Sequence, residues 1–132
     1  MGAWGNRNFE NDQALDFVGD FTDNPSSESL EEALTTVIEQ GEDEEYIEVD
    51  EASTALAAAE IIAATLAKPS PDFPQELQPT LATIEVNTLL QEAARKAVKQ
   101  VMKASELQEL WAEGDDLEAW LAVQTDLLKR LE

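Results

Sequence analysis

The chain contains no cysteine and no histidine, and these two absences exclude a large share of protein chemistry. Without cysteine there is no disulfide framework and no thiol redox chemistry. Without histidine as well, the usual nucleophilic triads, Cys/His zinc sites and imidazole general bases are unavailable. No glycine-rich run ends in Lys-Ser/Thr, so there is no phosphate-cradling loop of that kind. Basic side chains are also scarce: 8 Lys and Arg stand against 29 Asp and Glu, a formal charge of −21. Nucleic acid and anionic lipid both need Lys and Arg to displace counterions, so neither is expected as a partner. A basic protein surface is electrostatically welcome; acidity that merely maintains solubility is the plainer alternative. The Met1 start lacks a basic stretch followed by an apolar run, which sets a cytoplasmic, soluble protein as the expectation. No cofactor and no metal site is expected.

What is present is enough for a core. A chain of 132 residues reads as one domain, residues 1–132, large enough to fold without staples. Asp50–Ala67 is the organising stretch. From Ala55 to Ala67 only Glu60 and Thr65 are polar, and a helix without a wet face belongs in an interior. The run is too short to cross a bilayer, which takes about 20 apolar residues. It is therefore expected as a buried, alanine-rich helix, capped by Asp50, around which a compact all-α bundle of about six helices packs.

Before it, Asn11 caps a helix whose Ala14, Phe17, Val18 and Phe21 form one apolar stripe. Asp12, Asp16 and Asp20 repeat every fourth residue on another face, a spacing at which like charges repel. Ser29 with Glu32 reads as a capping box, and Gly41 is placed to end the second helix in the left-handed conformation. The acidic loop after it lacks the ligand spacing of a calcium-binding hand. After the core helix, Pro69, Pro71, Pro74 and Pro79 make a stiff connector, with room for a short helix from Pro74 that Pro79 limits. Helices then follow from Asn87 to Lys103, from Ser105, which forms a capping box with Gln108, to Gly114, and from Asp115 or Asp116 onward. In the last, Leu117, Trp120, Leu121, Leu128 and Leu131 are the expected buried set, and Lys129 and Arg130 complement the dipole. No internal repeat is evident.

The opening GAWGNRNFENDQALDF and the central ALAAAE resemble a family of small, mostly bacterial proteins labelled domain of unknown function 4259. The match lies in a G-x-W-G segment (Gly2–Gly5), an F-[DE]-N-D-x-A-x-D-[FW] segment (Phe9–Phe17) and the alanine-rich helix (Ala55–Glu60), followed by a proline-bearing turn. Asn6 and Asn8 depart from the small residues expected there. The resemblance implies one small intracellular domain and brings no chemistry with it.

The charge is lopsided. Residues 1–51 carry 16 acids and a single base, Arg7, whereas half of all bases (Arg95, Lys96, Lys99 and Lys103) lie on one helix. Three constellations follow. Trp4, Glu10, Asn11, Asp12 and Asp16 could line a cleft, with Asp12 and Asp16 as metal ligands or an acid–base pair. Alternatively, Asn11 caps, Asp12 serves the dipole and Trp4 seals the core. Glu60, alone among alanine and isoleucine, must be paired or hydrogen-bonded; Arg95, or backbone N–H groups with Trp4, are the expected donors. The Arg95/Lys99/Lys103 stripe could grip an acidic ligand, but it is expected to lie against the acidic first third and relieve the Asp12/Asp16/Asp20 line. Two functional readings remain: a non-enzymatic module that binds a basic protein, one version being an inhibitor or immunity-type protein, and a carboxylate-based hydrolase using a divalent cation. Monomer and homodimer are both open, the dimer burying apolar surface around Trp111 and Trp120.

Overall fold

The computed structural model describes residues 5–132. Trp4 lies outside them. The described residues form seven α-helices and no strand: α1 (Asp12–Asp23), α2 (Ser27–Glu42), α3 (Val49–Thr65), α4 (Gln78–Leu81), α5 (Thr88–Lys103), α6 (Glu106–Glu113) and α7 (Leu117–Arg130). A 3-10 turn, Gln75–Leu77, leads directly into α4. The count is close to the expected six, the seventh being the short helix of the proline connector. Pro79 sits in the first turn of α4, where its missing N–H is no loss, so it opens that helix and does not limit it.

The alanine-rich helix is the hub. Every residue of α3 from Ala55 to Ala64 is buried, as are Ala52 and Ser53, and α1, α2, α4, α5, α6 and α7 all pack on it. Alanine leaves little side chain between helix axes, and the neighbours supply the bulk: Phe21, Leu30, Leu34, Trp120, Leu127 and Leu131 are buried around it. No helix of the described residues is long and apolar enough to cross a membrane.

The cap of α3 is supplied from elsewhere in the chain and not by Asp50, which is exposed in the first turn. The N-cap residue, Glu48, makes no side-chain capping bond. Instead the Val49 N–H donates to Glu106 Oε1 at 2.9 Å, while the Glu106 N–H donates to the Ile47 carbonyl at 2.8 Å. Burial of Ile47 draws the chain onto the first turn of α6, and the two segments satisfy each other's orphan groups. The other end of α3 closes through Ala67, which takes a left-handed φ of 66°. The Lys68 and Ala67 N–H groups then donate to the Ala63 and Ala64 carbonyls, each at 3.0 Å, a Schellman closure with alanine where glycine is usual.

Two other helix ends differ from expectation. Ser26, and not Ser29, caps α2: its Oγ accepts from the Ser29 N–H at 3.1 Å, one turn earlier than the Ser29/Glu32 pair implies. At the far end, Gly41 is inside α2, and Glu44 holds the left-handed position with φ 57°. Gly41 serves close approach instead, since a Cβ there would collide with the Gln100 side chain on α5. Asn11 and Ser105 cap α1 and α6 as expected, accepting from backbone N–H groups at 2.8 and 3.1 Å, and Asn87 caps α5 in the same way at 2.8 Å.

Candidate functional site: a buried carboxylate network and two charged faces

Glu60 lies three-quarters of the way along α3 at 1% exposure. Its donors come from both ends of the chain. From α7, Arg130 forks onto the carboxylate, Nη1 to Oε1 at 2.8 Å and Nη2 to Oε2 at 3.2 Å. From the segment before α1, Asn8 Nδ2 donates to Oε2 at 2.8 Å. Asn8 is itself fixed by a reciprocal amide pair with Gln124 of α7: Asn8 Nδ2 to Gln124 Oε1 at 2.9 Å, and Gln124 Nε2 to Asn8 Oδ1 at 2.8 Å. Both amides are buried, so each hydrogen bond replaces water that cannot reach.

The guanidinium is held on its other edges. Nε donates to Asp126 at 2.8 Å, one helical turn back on α7, and Nη1 also donates to the Lys68 carbonyl at 3.2 Å. That carbonyl directly follows the left-handed Ala67, so the closure of α3 helps to seat Arg130. Burial alone would lower the Arg130 pKa. The hydrogen bonds and charge of Glu60, and then of Asp126, outweigh it and hold Arg130 above its ordinary value. The network therefore ties the N-terminal segment, the core helix and the last helix into one charge-assisted unit.

Arg95, an expected donor, does not reach Glu60. It sits on α5, and its Nε is buried without a hydrogen-bond partner. Sequence reasoning missed Asn8, Gln124 and Arg130. Gln124 carried a readable signal: it occupies the apolar stripe of α7, four residues after Trp120 and three before Leu127, and a buried amide there demands a partner. Arg130 was masked by its position, since any base in a last turn suits the dipole.

The N-terminal cluster is only partly assembled. Asn11 and Asp12 line a recess of about 120 Å³ together with Gly5, Arg7, Ser53 and Trp111, small beside the roughly 300–1,000 Å³ of typical ligand sites. Asn8 also lines it, with Glu60 bonded behind. Glu10 organises the approach: its carboxylate accepts from the Arg7 N–H at 3.2 Å, and a Cβ on Gly5 would lie 2.5 Å from it. Asp16 is exposed on the outer face of α1. No group of three or more acids among the described residues is arranged to hold a metal ion.

The helix that carries the basic stripe packs on α2 of the acidic first third, as expected, but the stripe is not placed against the aspartate line of α1. α1 and α5 both pack on α3, but α5 otherwise packs on α2, α6 and α7. The ion pairs among the described residues are those of Arg130 with Glu60 and Asp126. Every acid from Asp12 to Glu45 is exposed without one. Trp120, proposed for a dimer interface, is buried within its own chain.

Neither a curated protein nor a solved structure matches this chain. One family model does match, over residues 2–123, and it is described as "Domain of unknown function (DUF4259)". Gln124, Asp126 and Arg130 fall just past the matched stretch. The chain belongs to this family of unknown function.

Proposed function

We propose that this protein is a non-enzymatic interaction module whose acidic α1–α2 surface receives a basic protein. One observation carries the reading: twelve carboxylates between Asp12 and Glu45 are all exposed, with no ion pair to any of them among the described residues. Such a single-signed surface repels itself, and the field it projects attracts cations and speeds encounter with basic partners. An inhibitor or immunity-type role, capping a basic toxin or nuclease, is one form of this module. A cytoplasmic setting suits a chain with no cysteine. A carboxylate-based, metal-assisted hydrolase has less support, because Asp12 and Asp16 lie in water while the oxygens of Glu60 already accept three hydrogen bonds.

Affinity capture from the source cell at low and high salt tests the proposal, alongside a variant with Glu28→Lys, Glu31→Lys and Glu32→Lys. Basic proteins should be retained at low salt, released as salt shortens the Debye length, and lost from the variant. Capture unaffected by both changes would overturn the reading.

A further inference from the structure

Two of the exposed large apolar side chains sit inside opposite charge. On α1, Leu15 is 42% exposed, flanked by Asp12, Asp16 and Asp20, and one turn on Gly19 leaves open space where a side chain would be. On α5, Leu89 is 76% exposed at the edge of a groove of about 470 Å³ that it shares with Ile38, Glu92, Ala93, Arg95, Lys96 and Lys99. The first is an apolar knob on an acidic helix face. The second is a groove in which three apolar side chains lie among three bases and one acid, Glu92, so that its charge is net positive, with a buried guanidinium nitrogen lacking an acceptor. Asp12, Asp16 and Asp20 repeat every four residues, as do Arg95, Lys99 and Lys103, so both lines step by about 6 Å per charge. Within one chain no ion pair joins the two lines among the described residues.

We infer that the α5 groove docks the α1 face of a second copy of this chain, head to tail. The inference rests on reading the acidic surface as a docking surface, and it names the partner of its α1 part. Leu15 of one copy seats beside Ile38, Leu89 and Ala93 of the next, and the aspartates face Lys96, Lys99 and Lys103. A two-fold symmetric dimer through either face would set like charges opposite each other, so the contact is heterologous and each copy keeps one acidic and one basic face to offer. Copies carrying −21 each repel at long range. Beyond about 8 Å that repulsion is screened at ~0.15 M salt, so association is strongest at intermediate ionic strength and weakens on either side.

Sedimentation velocity over a concentration and salt series tests this on the full chain and two variants, Asp16→Lys/Asp20→Lys and Lys96→Glu/Lys99→Glu. All four positions are exposed, and unchanged helical circular dichroism checks the fold; the neutral pairs Asp16→Asn/Asp20→Asn and Lys96→Gln/Lys99→Gln replace any variant that fails that check. The wild type should self-associate and each variant should lose at least tenfold in self-affinity. Mixed one to one, the neutral pairs Asp16→Asn/Asp20→Asn and Lys96→Gln/Lys99→Gln should form a dimer that grows no further, because each then retains only one competent face. The charge-reversed variants, whose swapped faces are again complementary, should instead grow past the dimer when mixed. A wild type that stays monomeric throughout, a variant that still associates, or a mixture that does not pair would overturn the inference. In the monomeric case, salt-sensitive capture of basic proteins would still stand on its own, which separates this failure from failure of the proposed function.

Discussion

Glu60 and the aspartates of α1 are the same chemical group treated in opposite ways. Glu60 is enclosed by a bidentate arginine and an asparagine, the arginine in turn held by Asp126 and the Lys68 carbonyl. Asp12, Asp16 and Asp20 stand in water four residues apart with no ion pair among the described residues. The difference teaches where charge is constrained. At Glu60 both carboxylate oxygens are answered, because desolvation of a charge is expensive. At the surface water answers it, and the composition of a face is left open for recognition.

The largest effect that sharpens this contrast is expected from Arg130→Met. It leaves the Glu60 carboxylate, at 1% exposure, without its cation, and urea denaturation should show a loss of about 3–5 kcal/mol. Glu60→Gln should cost less, about 2 kcal/mol, because Arg130 keeps Asp126, the Lys68 carbonyl and 14% of its side chain in solvent. If the two losses came out in the reverse order, the pair would not be buried as described.

Next in size is Asn8→Ala. It strands the Gln124 amide in the core, and a loss of about 1–3 kcal/mol is expected in the same assay. Ala67→Gly works in the other direction. It removes a Cβ from a left-handed residue while keeping the Lys68 carbonyl on Arg130, so the unfolding midpoint should rise by the equivalent of about 0.5–1 kcal/mol. The smallest effect belongs to the surface: Asp16→Asn relieves two four-residue repulsions and should stabilise by about 0.2–0.5 kcal/mol per pair, less in high salt. A surface change as large as the interior ones would break the contrast.

Titration draws the same line. Tyr46 is exposed; desolvation, then its hydrogen bond to Glu109 and the charges of Glu109, Glu106 and Glu48, raise it above the usual 10.0. A raised value in the folded state means that the contribution is complete below pH 10.0 and fades as pH climbs through the raised value. Arg130 is also raised, from a much more alkaline start, so its contribution persists across the working range of a protein. Absorbance titration of Tyr46, the one tyrosine in the chain, should therefore proceed without unfolding.

Much of the helical framework was readable from residues alone. The dry run of α3, the apolar stripe of α1 and the caps Asn11 and Ser105 follow from local chemistry, and the structure has each of them. The errors arise where a local group is answered from far along the chain. Glu60 declared that it needed a donor, yet Arg130 lies 70 residues away and only packing of α7 on α3 brings it near. The Val49 N–H is capped by Glu106, 57 residues on, which left Asp50 without that task. Gly41 carried the usual mark of a helix end, but close packing against Gln100 claimed it, and Glu44 accepted the left-handed position three residues later.

A double-mutant cycle between Glu60→Gln and Arg130→Met, read by equilibrium unfolding, tests the pinning of the core carboxylate most directly. The two losses should be strongly non-additive, with a coupling of about 2–3 kcal/mol. Additive losses, or a Glu60→Gln protein with an unchanged midpoint, would contradict it.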